Sequence, residues 1–143
     1  MIRETFYAAL FALLQGLQTA GTVIVCDRRL RFLHEMGAAE LPALFLAVDR
    51  QQLVQRRGQP VRHQLGARLF VYAANPDRHT AAGIVLNGLL DAIDTALAPP
   101  AGSDVQTLGG LVSHCWIEGA VEVYEAPQGE RAAAIVPVQM LVP

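Results

Sequence analysis

The strongest constraint on the fold of this chain is a run of thirteen residues, Val61 to Ala73, whose side chains alternate in character. The mostly apolar set of alternate positions is Val61, His63, Leu65, Ala67, Leu69, Val71 and Ala73, and the other set includes Arg62, Gln64, Arg68, Phe70 and Tyr72. Because successive side chains of a strand point to opposite faces, this pattern predicts one long strand with a buried face. The run "ALFLAVDRQQLVQRR" before it, followed by Gly58 and Pro60, predicts a partner strand and a hairpin turn.

Two other segments have the period of a helix. In the first, the apolar stripe is Ile2, Phe6, Ala9, Leu10, Leu13 and Leu17, and in the second it is Ile84, Val85, Leu89, Leu90, Ile93 and Leu97. These spacings predict two amphipathic helices, the first ending at Gly21 and the second before Pro99 and Pro100. Asp77 or Asn75 is the expected N-cap of the second helix, whose Asp91 and Asp94 face away from the apolar stripe.

The rest of the chain is predicted to be mostly strand. We expect a short strand over residues 22–26, then a loop, with or without one helical turn, up to Pro42, and strands over residues 111–124 and 131–142 joined by a turn. In the strand over residues 111–124, one face carries Cys115, Ile117, Val121 and Val123, and the other carries His114, Trp116, Glu118, Glu122 and Tyr124. Pro137 has no backbone N–H, which predicts an edge position or a bulge for the last strand.

This order of elements predicts a single α+β domain over residues 1–143. Its sheet is mostly antiparallel or mixed, with the two main helices packed on one face. The other face then exposes Phe70, Tyr72, Trp116 and Tyr124 unless another molecule covers it. Only 17% of the residues are charged and 52% are hydrophobic, so we expect a neighbouring subunit to provide that cover.

Composition and charge disfavour several classes of protein. A formal net charge of −2 is not the basic character of a nucleic-acid-binding protein. The first helix is predicted to be part of the fold and not a signal peptide, since Glu4, Gln15 and Gln18 interrupt its apolar run. No stretch approaches the roughly 18 apolar residues of a membrane span, so no membrane partner is expected.

No arrangement of residues predicts catalysis, a metal or a cofactor. Cys115 and His114 are neighbours in a strand and point to opposite faces, so they cannot readily form a nucleophile and its base. The four histidines, His34, His63, His79 and His114, have no ligand spacing with one another or with the two cysteines. Gly109 and Gly110 precede a strand instead of a helix, which is typical of a turn and not of a phosphate-binding loop.

The arginines are concentrated in the first half of the chain, whereas acidic residues dominate the second half. This pattern has three interpretations: a solvated face, a docking edge for an acidic neighbour, or a surface facing phosphates. The residues of the candidate docking edge are Arg56, Arg57, Arg62 and Arg68.

Four segments together resemble one family. "LPALFLAVDRQ", "LNGLLDAIDTALAP", "QTLGGLVSHCWIEGAVEVYE" and "AAIVPVQMLVP" are similar to segments of the tail terminator (tail completion) proteins of long-tailed bacteriophages and prophages. The similarity spans roughly residues 28–143. The first twenty residues resemble the family only in forming an amphipathic helix.

The resemblance implies a structural virion protein without catalysis, located at the junction of tail and neck after assembly in the host cytoplasm. Such subunits form a homo-oligomer, a ring of six, that caps the tail tube protein, stops its polymerisation and offers a joining surface to the head-tail connector or head-completion protein. DNA passes through the lumen of the ring without sequence-specific binding. Exposure arguments place the subunit interface at Trp116, Tyr124, His114, Phe70 and Tyr72. The alternatives are another neck or head-completion protein and, further off, a small-molecule-binding or enzymatic domain.

Overall fold

The computed structural model describes residues 1–143 and contains two helices and a six-stranded mixed sheet. The helices are α1 (Arg3–Thr19) and α2 (Ala82–Leu97); the strands are β1 (Val25–Asp27), β2 (Ala43–Val54), β3 (Arg62–Ala74), β4 (His114–Ile117), β5 (Glu122–Glu125) and β6 (Arg131–Val142). The strand order is β1-β2-β3-β6-β4, and β5 also pairs with β6. Only β1 and β2 are parallel. The predicted α+β class is confirmed.

Strand β3 lies at the centre of this sheet and has the predicted alternation. It pairs antiparallel with β2 on one side and with β6 on the other. The apolar set from Leu65 to Ala73 is buried beneath both helices. The main contacts from the helices are made by Tyr7, Leu10, Phe11 and Leu14 of α1 and by Leu86, Leu89, Ile93 and Leu97 of α2.

The buried stripe of α2 differs from the predicted one. It begins at Ala82 and recurs at Leu86, Leu89 and Ile93, so Ile84 points outward and is 65% exposed. Neither predicted N-cap serves the helix. The Asp77 carboxylate instead accepts hydrogen bonds inside its own turn. The first N–H of α2, on Ala82, donates to the carbonyl of Gly129 at 2.7 Å, so the tertiary fold satisfies a group that a side-chain cap would otherwise satisfy.

The predicted strand over residues 111–124 is two strands. It starts later, at His114, and stops between Ile117 and Glu122, while β6 runs past the break without interruption. Pro137 of β6 lies opposite this break, where its carbonyl accepts the N–H of Glu118 at 3.1 Å. The N–H that proline lacks would point to the same side, where no strand partner remains. The edge position for Pro137 was therefore wrong, and an irregularity in the neighbouring strand accommodates it.

The segment over residues 28–42, predicted as a loop, covers part of the sheet face that the helices leave free. Beneath it lies a second apolar cluster whose buried members are Met36, Leu41, Ala43, Phe45 and Tyr72. Tyr72 is only 4% exposed, and its hydroxyl donates to the Arg31 carbonyl at 2.8 Å. Arg131 holds the segment by donating to the carbonyls of Leu33 and Met36. Tyr72 was thus wrongly assigned to the exposed face, because its own chain covers it.

A β-bulge in β2 links α1 to the sheet. Asp49 and Arg50 together face the single residue Gly66 of β3. The Tyr7 hydroxyl donates to the Gly66 carbonyl at 2.8 Å and accepts a hydrogen bond from the Gln51 side chain at 3.1 Å. A Cβ atom at Gly66 would lie 2.5 Å from the Arg50 carbonyl oxygen, so the bulge requires glycine at this position.

Gly66→Ala tests this requirement. We expect a loss of about 1–3 kcal/mol in the free energy of unfolding, because rigid backbone would have to move. The matched control is Gly88→Ala on the exposed side of α2, where a Cβ meets no atom within 4 Å and should stabilise by roughly 0.5–1 kcal/mol. Denaturant unfolding of both variants checks the difference, and equal effects would contradict the close contact.

Glu40→Gln tests the ion pair that closes the segment over residues 28–42. The Arg31 guanidinium, at 2.6 Å, and then the Gly37 N–H lower the pKa of Glu40 from 4.5 to about 2. A lowered folded-state pKa gives stability that is present above pH 4.5 and is lost as the pH falls towards 2. Urea unfolding should therefore show the variant less stable than wild type at pH 7 by a small amount, since both side chains are partly exposed, and equal to it near pH 2. A difference that persists unchanged at pH 2 would exclude the ion pair as its source.

Candidate assembly interface

The uncovered part of the sheet face opposite the helices carries a patch of partly exposed apolar residues. Strand register places Phe70 beside Ile135 and Arg68 beside Pro137. Further along, Gln139 lies beside Trp116. Segment 28–42 covers the rows nearer Tyr72, so this patch, which we call the outer face, is the part that remains open. A partly exposed apolar sheet surface of this kind is typical of protein contacts.

Trp116 and His114 form a rigid pair on the outer face. Their rings stack with centroids 5.0 Å apart and planes 11° from parallel. The indole N–H donates to the Glu118 carboxylate, and the His114 Nδ1 accepts the N–H of Gln106 at 3.2 Å. The Gln106 carbonyl in turn accepts the N–H of Cys115 at 2.8 Å, so Gln106 lies along the free edge of β4. Because the aromatic pair is already ordered, a partner would lose little side-chain entropy in contacting it.

All five predicted interface residues point to the side of the sheet opposite the helices, and four of them are accessible there. Phe70, His114 and Trp116 are partly exposed on it. Tyr124 points to the same side from β5, is 58% exposed, and donates from its hydroxyl to Glu122 at 3.3 Å. Tyr72 lies beneath the segment over residues 28–42 and is not accessible to a partner.

The predicted charged edge divides into two parts. Arg68 lies on the outer face, with its guanidinium 5.5 Å from the centroid of the Phe70 ring and 3.7 Å from the Asp49 carboxylate. Arg56, Arg57 and Arg62 instead lie at the end of the β2–β3 hairpin. Arg68 is therefore separated from the other three and already has an acidic partner.

The end of the hairpin extends beyond the rest of the sheet. Pairing of β3 with β6 stops at His63 and Val142, whereas pairing with β2 continues to Val54 and Arg62. An exposed turn over residues 55–61 follows. A depression of about 350 Å³ lies at its base, lined by Val54, Arg56, Gln59, Pro60, Arg62 and Leu141.

No carboxylate neutralises this hairpin end. The three ion pairs of the structure are Arg28–Glu4, Arg31–Glu40 and Arg68–Asp49, and none involves Arg56, Arg57 or Arg62. The sequence contains no acidic residue between Asp49 and Asp77. The hairpin end is therefore a site of uncompensated positive charge.

A second depression, of about 270 Å³, lies beside the edge of β4. It is lined by Asp94, Leu97, Pro99, Asp104, His114, Cys115, Trp116 and Ile117, and we call it the acidic groove. Sequence reasoning missed this feature, because Asp94 was predicted only as a solvated helix residue and Asp104 was not considered. The absence of Lys and Arg between Arg78 and Arg131 was the signal that could have indicated it.

The two cysteines have the properties of unreactive thiols. Cys115 is 1% exposed, and burial raises its thiol pKa to about 12. Burial, followed by the charge of Asp27, raises the pKa of Cys26 to about 11. Cys115 points into the core while His114 lies on the outer face, as the alternation predicts. No three His, Cys, Asp or Glu side chains lie close enough together to hold a metal ion.

Thiol labelling tests this description. In the native protein at pH 7.5, iodoacetamide should modify Cys115 at least a hundredfold more slowly than in denaturant, because the reactive thiolate is scarce and buried. Mass spectrometry of the alkylated peptides gives both rates. Rapid native labelling of Cys115 would instead indicate an accessible, activated nucleophile.

A scan against models of known protein families finds no match to this chain, and a search of curated proteins finds no similar sequence. Neither α1 nor α2 combines the length and the apolar character needed to cross a membrane. The features that bear on function are the outer face, the hairpin end and the acidic groove, together with the sequence resemblance.

Proposed function

We propose that this protein is a structural subunit of a phage tail terminator, a ring that ends the tail tube and offers the surface to which the head attaches. The observation that carries the proposal is the outer face, a partly exposed apolar surface that includes Phe70, Trp116 and Ile135 and that extends beyond the cover of segment 28–42. It supports a subunit that is completed by contact with other subunits. The resemblance of four segments to tail terminators supports this particular assembly.

The proposed mechanism is binding and closure, without a chemical step. A closed ring requires two different surfaces on each copy. One surface of each copy fits the other surface of the next copy, so no surface remains unpaired when the ring closes. Each copy offers two distinct surfaces. The hairpin end lies past the end of the sheet, whereas the outer face and the acidic groove adjoin one another at His114 and Trp116 of β4. Once the ring occupies the end of the tube, no further tube subunit can add. The open lumen lets DNA pass with no base-specific contact.

A gene deletion in the phage or prophage that encodes the chain tests the proposal. Loss of a terminator removes the stop to tube growth, so lysates should contain overlong tails without heads. Electron microscopy measures the tail lengths. Normal-length tails beside heads that leak DNA would instead indicate a head-side neck protein, and unaltered particles would reject any assembly role.

Complementation of the deletion by point variants extends the test to the outer face. Wild type should restore normal tails, whereas Trp116→Ala should not, because it removes a central aromatic anchor worth about 2 kcal/mol or more. The control is Ile84→Ala, an apolar residue on the helix side that is 65% exposed, more than Trp116, and this variant should restore them. Full rescue by Trp116→Ala would remove the outer face from the proposed interface.

A further inference from the structure

We propose that the hairpin end of one copy docks in the acidic groove of a second copy, so that Arg56, Arg57 and Arg62 meet Asp94 and Asp104. This inference deepens the proposed function and rests on it only for the expectation that the repeated contact closes into a ring. The occupant of the groove is a second copy of this chain. The contact itself can be measured with purified protein.

The hairpin end protrudes from the sheet and is positively charged, as a segment that inserts into an acidic groove should be. It extends past the last β3–β6 pair, at His63 and Val142, and carries three arginines without acidic partners. Arg is suited to this role, because its planar guanidinium can donate two parallel hydrogen bonds to one carboxylate. The depression beside Arg56 and Arg62 leaves room at the base of the hairpin for part of the neighbour.

The acidic groove has the complementary charge. Asp94 on α2 and Asp104 on the loop that follows both line it, and neither forms an ion pair. The lining also includes Pro99, which is exposed, and Ile117, which is partly exposed, and both can contact the methylene stems of arginine side chains. A groove lined by two carboxylates and by apolar side chains suits an arginine-bearing hairpin better than an aliphatic or anionic ligand.

Charge segregation along the chain favours a second copy as the occupant. Residues 50–76 contain five arginines and no acidic residue, whereas residues 79–130 contain seven acidic residues and no Lys or Arg. The two surfaces belong to one chain but make no ion pair within it. The hairpin end lies beyond the end of the sheet and the groove lies along its β4 edge, so contact between them is of the head-to-tail kind that repeats from copy to copy.

Charge reversal on each side tests the contact. The hairpin variant is R56E/R57E/R62E, and the groove variant is D94R/D104R; all five positions are exposed, so each protein should remain folded by circular dichroism. Sedimentation velocity and native mass spectrometry at low salt should show oligomers for wild type. Each variant alone should associate at least about tenfold more weakly, because like charges then face each other. R29E/R78E and E130R reverse exposed charges elsewhere and should assemble like wild type.

Mixing the two variants provides the decisive measurement. In the mixture, the reversed hairpin of one protein faces the reversed groove of the other, and the native hairpin faces the native groove. Oligomers should therefore return, with the two chains in equal amounts, and a single chain that carries all five substitutions should also assemble. The neutral variants R56Q/R57Q/R62Q and D94N/D104N should weaken association less than the reversals.

Four outcomes would overturn the proposal: a monomeric wild type at all concentrations, reversed variants that assemble like wild type, failure of the mixture to assemble, or hairpin arginines that bind duplex DNA and leave self-association unchanged. These outcomes are separate from those of the gene deletion. Overlong tails with no effect of charge reversal on purified oligomers would retain the function and reject this contact. Restored oligomers with normal tail lengths in the deletion would retain the contact and reject the function.

Discussion

The pairing of β6 with β3 over the whole length of β6 is the interaction on which the rest of the structure depends. It joins Arg131 to Ala74 at one end and Val142 to His63 at the other. Every second residue of β6 is buried, and these side chains form the floor on which α1 and α2 pack. On its other side, β6 pairs first with β5 and then with β4. Because β6 is continuous, it holds these two short strands in one sheet although the chain between them leaves the sheet.

The two faces of this sheet differ in how much of them the chain covers. On the helix side, a single apolar cluster extends from Tyr7 to Val142. On the opposite side, the segment over residues 28–42 covers the rows near Tyr72, while the rows near Trp116 stay open. Hydrogen bonds from Arg131 and the Arg31–Glu40 pair hold that segment in place. These polar contacts fix how far the segment over residues 28–42 extends across the sheet. They therefore help to determine where the outer face begins.

Three surface features support the proposed assembly. The aromatic pair is ordered before any partner arrives, the hairpin end carries charge without compensation, and the acidic groove carries the opposite charge. In protein interfaces, charges of this kind give specificity and orientation more than raw affinity, whereas a few buried aromatic residues carry most of the binding energy. A ring in which both act together would combine a defined register with stability.

The sequence by itself determined the features that depend on local periodicity: both helices, the long strand around Leu69, the inward Cys115 and the α+β class. It also placed Trp116 and His114 on one face, because alternation within a strand needs no knowledge of its neighbours. Only the tertiary structure decided that Tyr72 is buried, that Pro137 sits opposite a break, and that Asp94 and Asp104 line one groove. The physical reason is that each of these outcomes depends on contacts between residues distant in the chain, which local patterns do not encode.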